Sequence, residues 1–140
     1  MALDRVWIRT LGDGLIRADQ VIGISTHRTP ALSGKRGRWL LTAALGMPAG
    51  SGSSEGWDLT NLHRTLAQAD AEPKHAPEAL AQVLARFSTS GTAGILTPVV
   101  ADSARGEVRF DFTPFDGGNG NGNGNGAPLT RVITRDSVGV

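Results

Sequence analysis

Apolar and polar positions alternate through the first third of the chain and predict strands. Val6-Trp7-Ile8-Arg9-Thr10-Leu11 leads into Gly12-Asp13-Gly14 and returns as Leu15-Ile16-Arg17-Ala18. A three-residue loop with Gly14 in the left-handed conformation would pair Leu11 with Leu15, Arg9 with Arg17 and Trp7 with Asp19. The other face, Thr10 with Ile16 and Ile8 with Ala18, is the more apolar and is expected inward. Arg9 and Arg17 would then oppose each other outside, beside Trp7. Like charges so placed either splay into solvent or share an anionic partner. Val21 to Arg28 and Arg38 to Leu45 read as two further strands. The connection between them, His27 to Arg38, reads as a solvated, mobile basic loop holding Arg28, Lys35, Arg36 and Arg38.

Downstream the period changes. Gly46 to Gly56 has the Gly/Ser content of a flexible linker. Leu59, Leu62, Leu66 and Ala69 then recur at helical spacing, predicting a helix from Leu59 to Ala71 with Asp58 as its N-cap and a break at Glu72-Pro73. A second helix is predicted over Pro77 to Phe87, where Leu80, Val83, Leu84 and Phe87 fall at i, i+3, i+4 and i+7. Burying those four side chains would contribute roughly 6–12 kcal/mol gross. Gly94 to Ala101 reads as a strand, which Pro98 assigns to an edge or a bulge. Glu107 to Thr113 alternates strictly, with Val108, Phe110 and Phe112 facing in.

The expected fold class is therefore α+β: an antiparallel sheet of about five or six strands, one or two helices on one face, and a flexible C-terminal tail. Three segments follow from composition. Residues 1–116 form the folded domain, and 117–126 are a Gly/Asn linker whose ten residues would span about 16–19 Å. Residues 127–140 form a tail segment. Leu129, Val132, Ile133, Val138 and Val140 give that tail more apolar surface than a solvating end needs. It is expected to stay disordered, to dock as a strand on its own sheet, or to serve as a ligand for a partner's sheet edge.

Charge and composition narrow the chemistry. The 140 residues carry a net charge of +1, with 39% hydrophobic residues, three Trp, no Tyr and no Cys. Without Cys there is no disulfide, thiolate metal site or thiol nucleophile. No run of about 20 apolar residues is present, as a membrane span would require. The opening residues lack the basic-then-apolar order of a signal peptide, so a cytoplasmic protein is expected. Residues 1–45 hold seven Lys+Arg against three Asp, and the remainder seven against ten Asp+Glu, so the sheet half is mildly basic.

Catalytic motifs do not stand out. The Gly-rich stretches lack the Gly-Lys-Ser/Thr that a phosphate loop requires, and a dinucleotide fingerprint fails at Glu55. No Gly-x-Ser-x-Gly elbow occurs. His27, His63 and His75 are dispersed, so no metal or other cofactor is expected. The leading expectation is a non-catalytic protein-interaction or adaptor module that binds through an edge strand or groove, with the C-terminal segment as one contact. The residues singled out for binding are Trp7, Arg9, Arg17, Arg28, Lys35, Arg36, Arg38, Val132, Ile133 and Val140. The alternatives are a nucleic-acid or anion-binding module built on the basic residues, and an enzyme or enzyme subunit. The expected partner is another protein rather than a membrane.

Trp7-Ile8-Arg9-Thr10, Gly14-Leu15-Ile16 and Asp19-Gln20-Val21-Ile22-Gly23-Ile24 resemble the opening of small bacterial proteins with a sheet-plus-helix fold and no assigned activity. Gln20 stands where those proteins have Asn. Glu78-Ala79-Leu80-Ala81-Gln82-Val83-Leu84 is similar to their helix. The resemblance implies the fold alone.

Overall fold

The alternating segments form strands in a computed structural model that describes residues 2–12, 14–48, 61–115 and 130–132. The strands are β1 (Val6–Arg9), β2 (Leu15–Arg17), β3 (Val21–Arg28), β4 (Trp39–Pro48) and β5 (Asn61–Ala69). After helix α1 (Ala76–Ser90) come β6 (Gly94–Asp102), β7 (Glu107–Pro114) and β8 (Thr130–Val132). Short 3₁₀ turns, Ala2–Arg5 and Ala18–Gln20, precede β1 and β3. The class is α+β, as expected, but the strands divide between two sheets. One has the order β2-β1-β6-β7-β8 and the other β3-β4-β5.

The second hairpin extends the first by an unexpected route, because β1 pairs with β6 in parallel, Val6 opposite Gly94 and Ile8 opposite Leu96. A parallel pair needs a long crossover, and here the small sheet and α1 supply it. The two sheets are also joined by hydrogen bonds at the middle of β5 and just past its C-terminal end. Leu11 N–H donates to the Thr65 carbonyl at 2.8 Å, and Asp70 and Ala71 N–H both donate to the Ser103 carbonyl at 3.1 Å.

Helix α1 packs on the first 3₁₀ turn, β3 and β7. Its stripe behaves as its period dictates: Leu80, Val83 and Leu84 are buried among Ile8, Leu41, Leu96 and Phe110. Phe87 is half-buried, its ring 4.4 Å from that of Phe112. Pro77 sits in the first turn, where a missing N–H costs nothing, and Gly91 at φ 64° closes the C-terminus. β7 likewise buries Val108, Phe110 and Phe112.

Local expectations are corrected or refined at several points. Of the segment expected as a first helix, Asn61–Ala69 is strand β5, and Asp70 and Ala71 form a bend after it. Leu41 pairs with Ala67 but Thr42 pairs with Thr65, so β5 has a bulge at Leu66. A bulge inserts one residue and reverses the phase of the alternation. Leu66 and Ala67 are therefore both buried, and Leu62, Leu66 and Ala69 acquire a helix-like spacing from a kinked strand.

The first hairpin is also displaced. Thr10 N–H donates to the Gly14 carbonyl at 2.8 Å, so the loop lies between those two residues, one position earlier than expected. Trp7 pairs with Arg17 and Arg9 with Leu15, so the two arginines do not face each other. Moving the loop by one residue moves each partner by two, which preserves the faces. Thr10, Ile8, Ile16 and Ala18 are all buried as predicted.

The basic connection is the tip of the β3–β4 hairpin, with Leu32 bridged to Lys35 and Thr29 bonded to Arg38. Pro98 lies in a strand that is flanked on both sides but, in keeping with the bulge alternative, has a register shift between Val100 and Asp102. It also stands beyond Leu96, the last residue that β1 pairs, so its missing N–H breaks no bond to β1. Gly46 to Pro48 belong to β4, while the rest of the expected linker, Asp58, residues 117–126 and most of the tail lie outside the described residues.

Candidate functional site

A groove of about 600 Å³ runs between α1 and β3. Its floor and walls come from Ala18, Val21–Ile24 and Leu3 on one side, and from Pro77, Ala81, Leu84 and Ala85 on the other. Glu78 and Ser88, toward the two ends of the helix, are its polar lining side chains. Small residues on α1 create it. Ala81 and Ala85 lie one turn apart on the face beside the buried stripe and leave space that larger side chains would fill. Ile22 is 63% exposed in the groove, a large apolar side chain without cover.

One wall of the groove is a hydrogen-bonding edge. β3 is the outer strand of its sheet. Thr29 N–H donates to the carbonyl of Arg38, and the register then continues His27 with Leu40, Ser25 with Thr42 and Gly23 with Ala44. Antiparallel pairs alternate between bonded and unbonded positions. The backbone groups of Thr29, His27, Ser25 and Gly23 are therefore directed at β4, and those of Arg28, Thr26 and Ile24 at the open edge. The extra residue Ile22, at a register shift between Val21 and Gly23, bends the strand at the groove.

The other long edges are occupied. β5 is tied to the larger sheet at its middle and just past its C-terminal end, and β7 is covered by β8, with Phe112 opposite Thr130 and Phe110 opposite Val132. β2 is an edge of only three residues. Among the described residues, β3 is the longest strand edge left without a backbone partner. An open edge of this kind is either blunted or used.

None of the residues singled out from the sequence lines the groove. Trp7 is half-buried between Arg17 and Ile95 in the large sheet. Arg9 is exposed opposite Leu15. Arg17 donates from Nε to Asp19 Oδ1 at 2.6 Å. That hydrogen bond, and then the charge of Asp19, raise the Arg17 pKa. Arg28, Lys35, Arg36 and Arg38 belong to the β3–β4 hairpin, whereas Arg9 and Arg17 belong to the other sheet. Val132 is in β8, whereas Ile133 and Val140 lie outside the described residues. The sequence does hold a signal for the groove: Val21-Ile22-Gly23-Ile24 is too apolar for an ordinary solvated edge.

His27 and His63 are exposed on different strands, and His27 Nδ1 lies 3.5 Å from Thr42 Oγ1. Among the described residues no group of His, Asp or Glu is placed to hold a metal, and no helix is long and apolar enough to cross a membrane. Compared with family models, with curated proteins and with solved structures, the chain matches none.

Proposed function

We propose that the chain is a protein-interaction module that takes an extended segment of a partner protein along β3, beside α1. The observation that carries this reading is the open backbone edge of β3 lying in an apolar groove. Strand addition draws affinity from main-chain hydrogen bonds and specificity from pockets for alternate side chains. Ile24 in the groove and Thr26 just beyond it offer the backbone groups, and Ala81, Leu84 and Ala85 the apolar wall. The stretch Val21 to Ile24 accommodates about four residues of an added strand, roughly 13 Å at the usual rise.

Charge narrows the occupant further. Glu78 is the groove's one charged lining residue and has no ion pair among the described residues. The preferred segment therefore has apolar side chains at alternate positions and a Lys or Arg near the start of α1. The chain already uses strand addition once, where Thr130–Val132 cover β7.

The test is selection of peptides from a displayed random library on the full chain, followed by amide exchange. Enriched peptides should show that pattern and should slow exchange at the Ile24 and Thr26 amides. Ile22→Arg should weaken binding about 10- to 100-fold, as expected when a charge enters an apolar contact, with the thermal midpoint unchanged. Peptides that bind Ile22→Arg as well as the parent chain, or that protect a different strand, would overturn the reading.

A further inference from the structure

The β3–β4 hairpin tip is a second surface, independent of the groove. From Gln20 to Ser54 the sequence contains no Asp or Glu, yet Arg28, Lys35, Arg36 and Arg38 crowd into this short arm. All four are exposed, and none has an ion pair among the described residues. The arm is built. Arg38 N–H donates to Thr29 Oγ1 at 2.8 Å and Lys35 N–H to the Leu32 carbonyl at 2.8 Å, with Gly34 at φ 81° in the turn. A Cβ on Gly37 would lie 2.8 Å from the Thr29 carbonyl oxygen and 3.0 Å from Arg28 Nε, so the Arg28 side chain rests across the returning strand. Arg38 Nε and Nη1 each lie 3.2 Å from the side-chain oxygen of Gln68 in the amide orientation that satisfies both groups. Arg38 is thereby held at the base, while Arg28, Lys35 and Arg36 stay available. At the tip, Leu32 is 69% exposed next to Pro30 and Ala31.

We propose that this arm binds double-stranded nucleic acid, entering a groove with Arg28, Lys35 and Arg36 on the phosphates and Leu32 against the base edges. A two-stranded β-ribbon is of a size the DNA major groove admits. Apolar tips such as Pro and Leu serve elsewhere as wedges at base steps. Single strands fit less well, because stacking needs aromatic side chains, and among the described residues the only Trp or Phe near the arm, Trp39, is half-buried at its base. An anionic membrane fits less well too. One leucine offers less apolar surface than a myristoyl chain, which itself binds only marginally.

The test is fluorescence anisotropy of a labelled duplex of about 20 base pairs with the full chain, from about 50 to 200 mM salt. Binding should fall in the non-specific range, about 10⁻⁴–10⁻⁶ M, with a log–log salt slope near −3 for three phosphate contacts. Lys35→Glu/Arg36→Glu should weaken binding at least ~10-fold and flatten the slope by about 2. Arg28→Gln, a single change that leaves the turn intact, should flatten it by about 1. Thermal melting and circular dichroism establish that each variant is folded. Absence of duplex binding at the lowest salt, or a slope unaltered in these variants, would overturn the proposal. So would tighter binding to phosphatidylserine vesicles than to duplex, lost in Leu32→Ser, which would make the arm a membrane contact.

Discussion

Gly106→Ala should lower stability by about 2–5 kcal/mol, while Gly34→Ala should lower it by about 1–2 kcal/mol. Both glycines hold left-handed backbone, at φ 67° and φ 81°. A side chain at either position incurs the same conformational penalty, about 1–2 kcal/mol. They differ in surroundings. A Cβ at Gly34 meets nothing within 4 Å, whereas at Gly106 it would lie 2.5 Å from the Glu72 carbonyl oxygen and 2.7 Å from that of Ala71. Those oxygens are backbone and cannot rotate aside. Their segment is also held by Asp70 N–H on Ser103 Oγ at 3.0 Å. Overpacking of this kind adds about 1–3 kcal/mol. Urea denaturation of the two variants separates the contributions. Equal losses would mean that the β6–β7 turn docks loosely on the segment leading to α1.

Leu80→Ala should cost about 3–4 kcal/mol, within the range for emptying a fully buried leucine site. Leu80 is fully buried, and its cluster draws on α1 and both sheets, including Ile8, Leu41, Leu96 and Phe110. Against a typical domain stability of about 5–15 kcal/mol, that loss is a large fraction. Leu32→Ala, at the exposed hairpin tip, should change stability by less than about 0.5 kcal/mol. Urea midpoints with unchanged slope would attribute the Leu80 loss to the native state. A loss below about 1 kcal/mol would show that neighbouring side chains collapse into the space.

How far the sequence foretells this molecule depends on whether a signal is local. α1 is legible because Leu80, Val83, Leu84 and Phe87 keep one uninterrupted period, and β7 because Glu107 to Thr113 alternates without a break. β5 is not, because the bulge at Leu66 shifts the phase in mid-strand and converts a strand pattern into a helical one. The first hairpin shows the same limit in another form. Its inward face is readable from Ile8 and Ile16, but its register is set with help from a distant partner. Leu11 gives its N–H to Thr65, and no spacing within the hairpin announces that bond. The groove is less visible still, since Ile22 and Ala81 meet only through tertiary packing. The basic residues of the arm were plain in the sequence, but the turn and cross-strand bonds that order them were not.

The parallel alignment of β1 with β6 also bears on how the chain reaches its fold. Val6 finds Gly94 only after nearly all the intervening sequence exists, and pairings between such distant residues slow folding. A β1–β2 hairpin that forms early would have one side unpaired while β3, β4, β5 and α1 emerge. During that interval Trp7 and Ile8 lie on a bare strand that other chains could join. Expression at low temperature, or with a holdase chaperone, should raise the soluble yield by protecting this early hairpin until its late partner arrives.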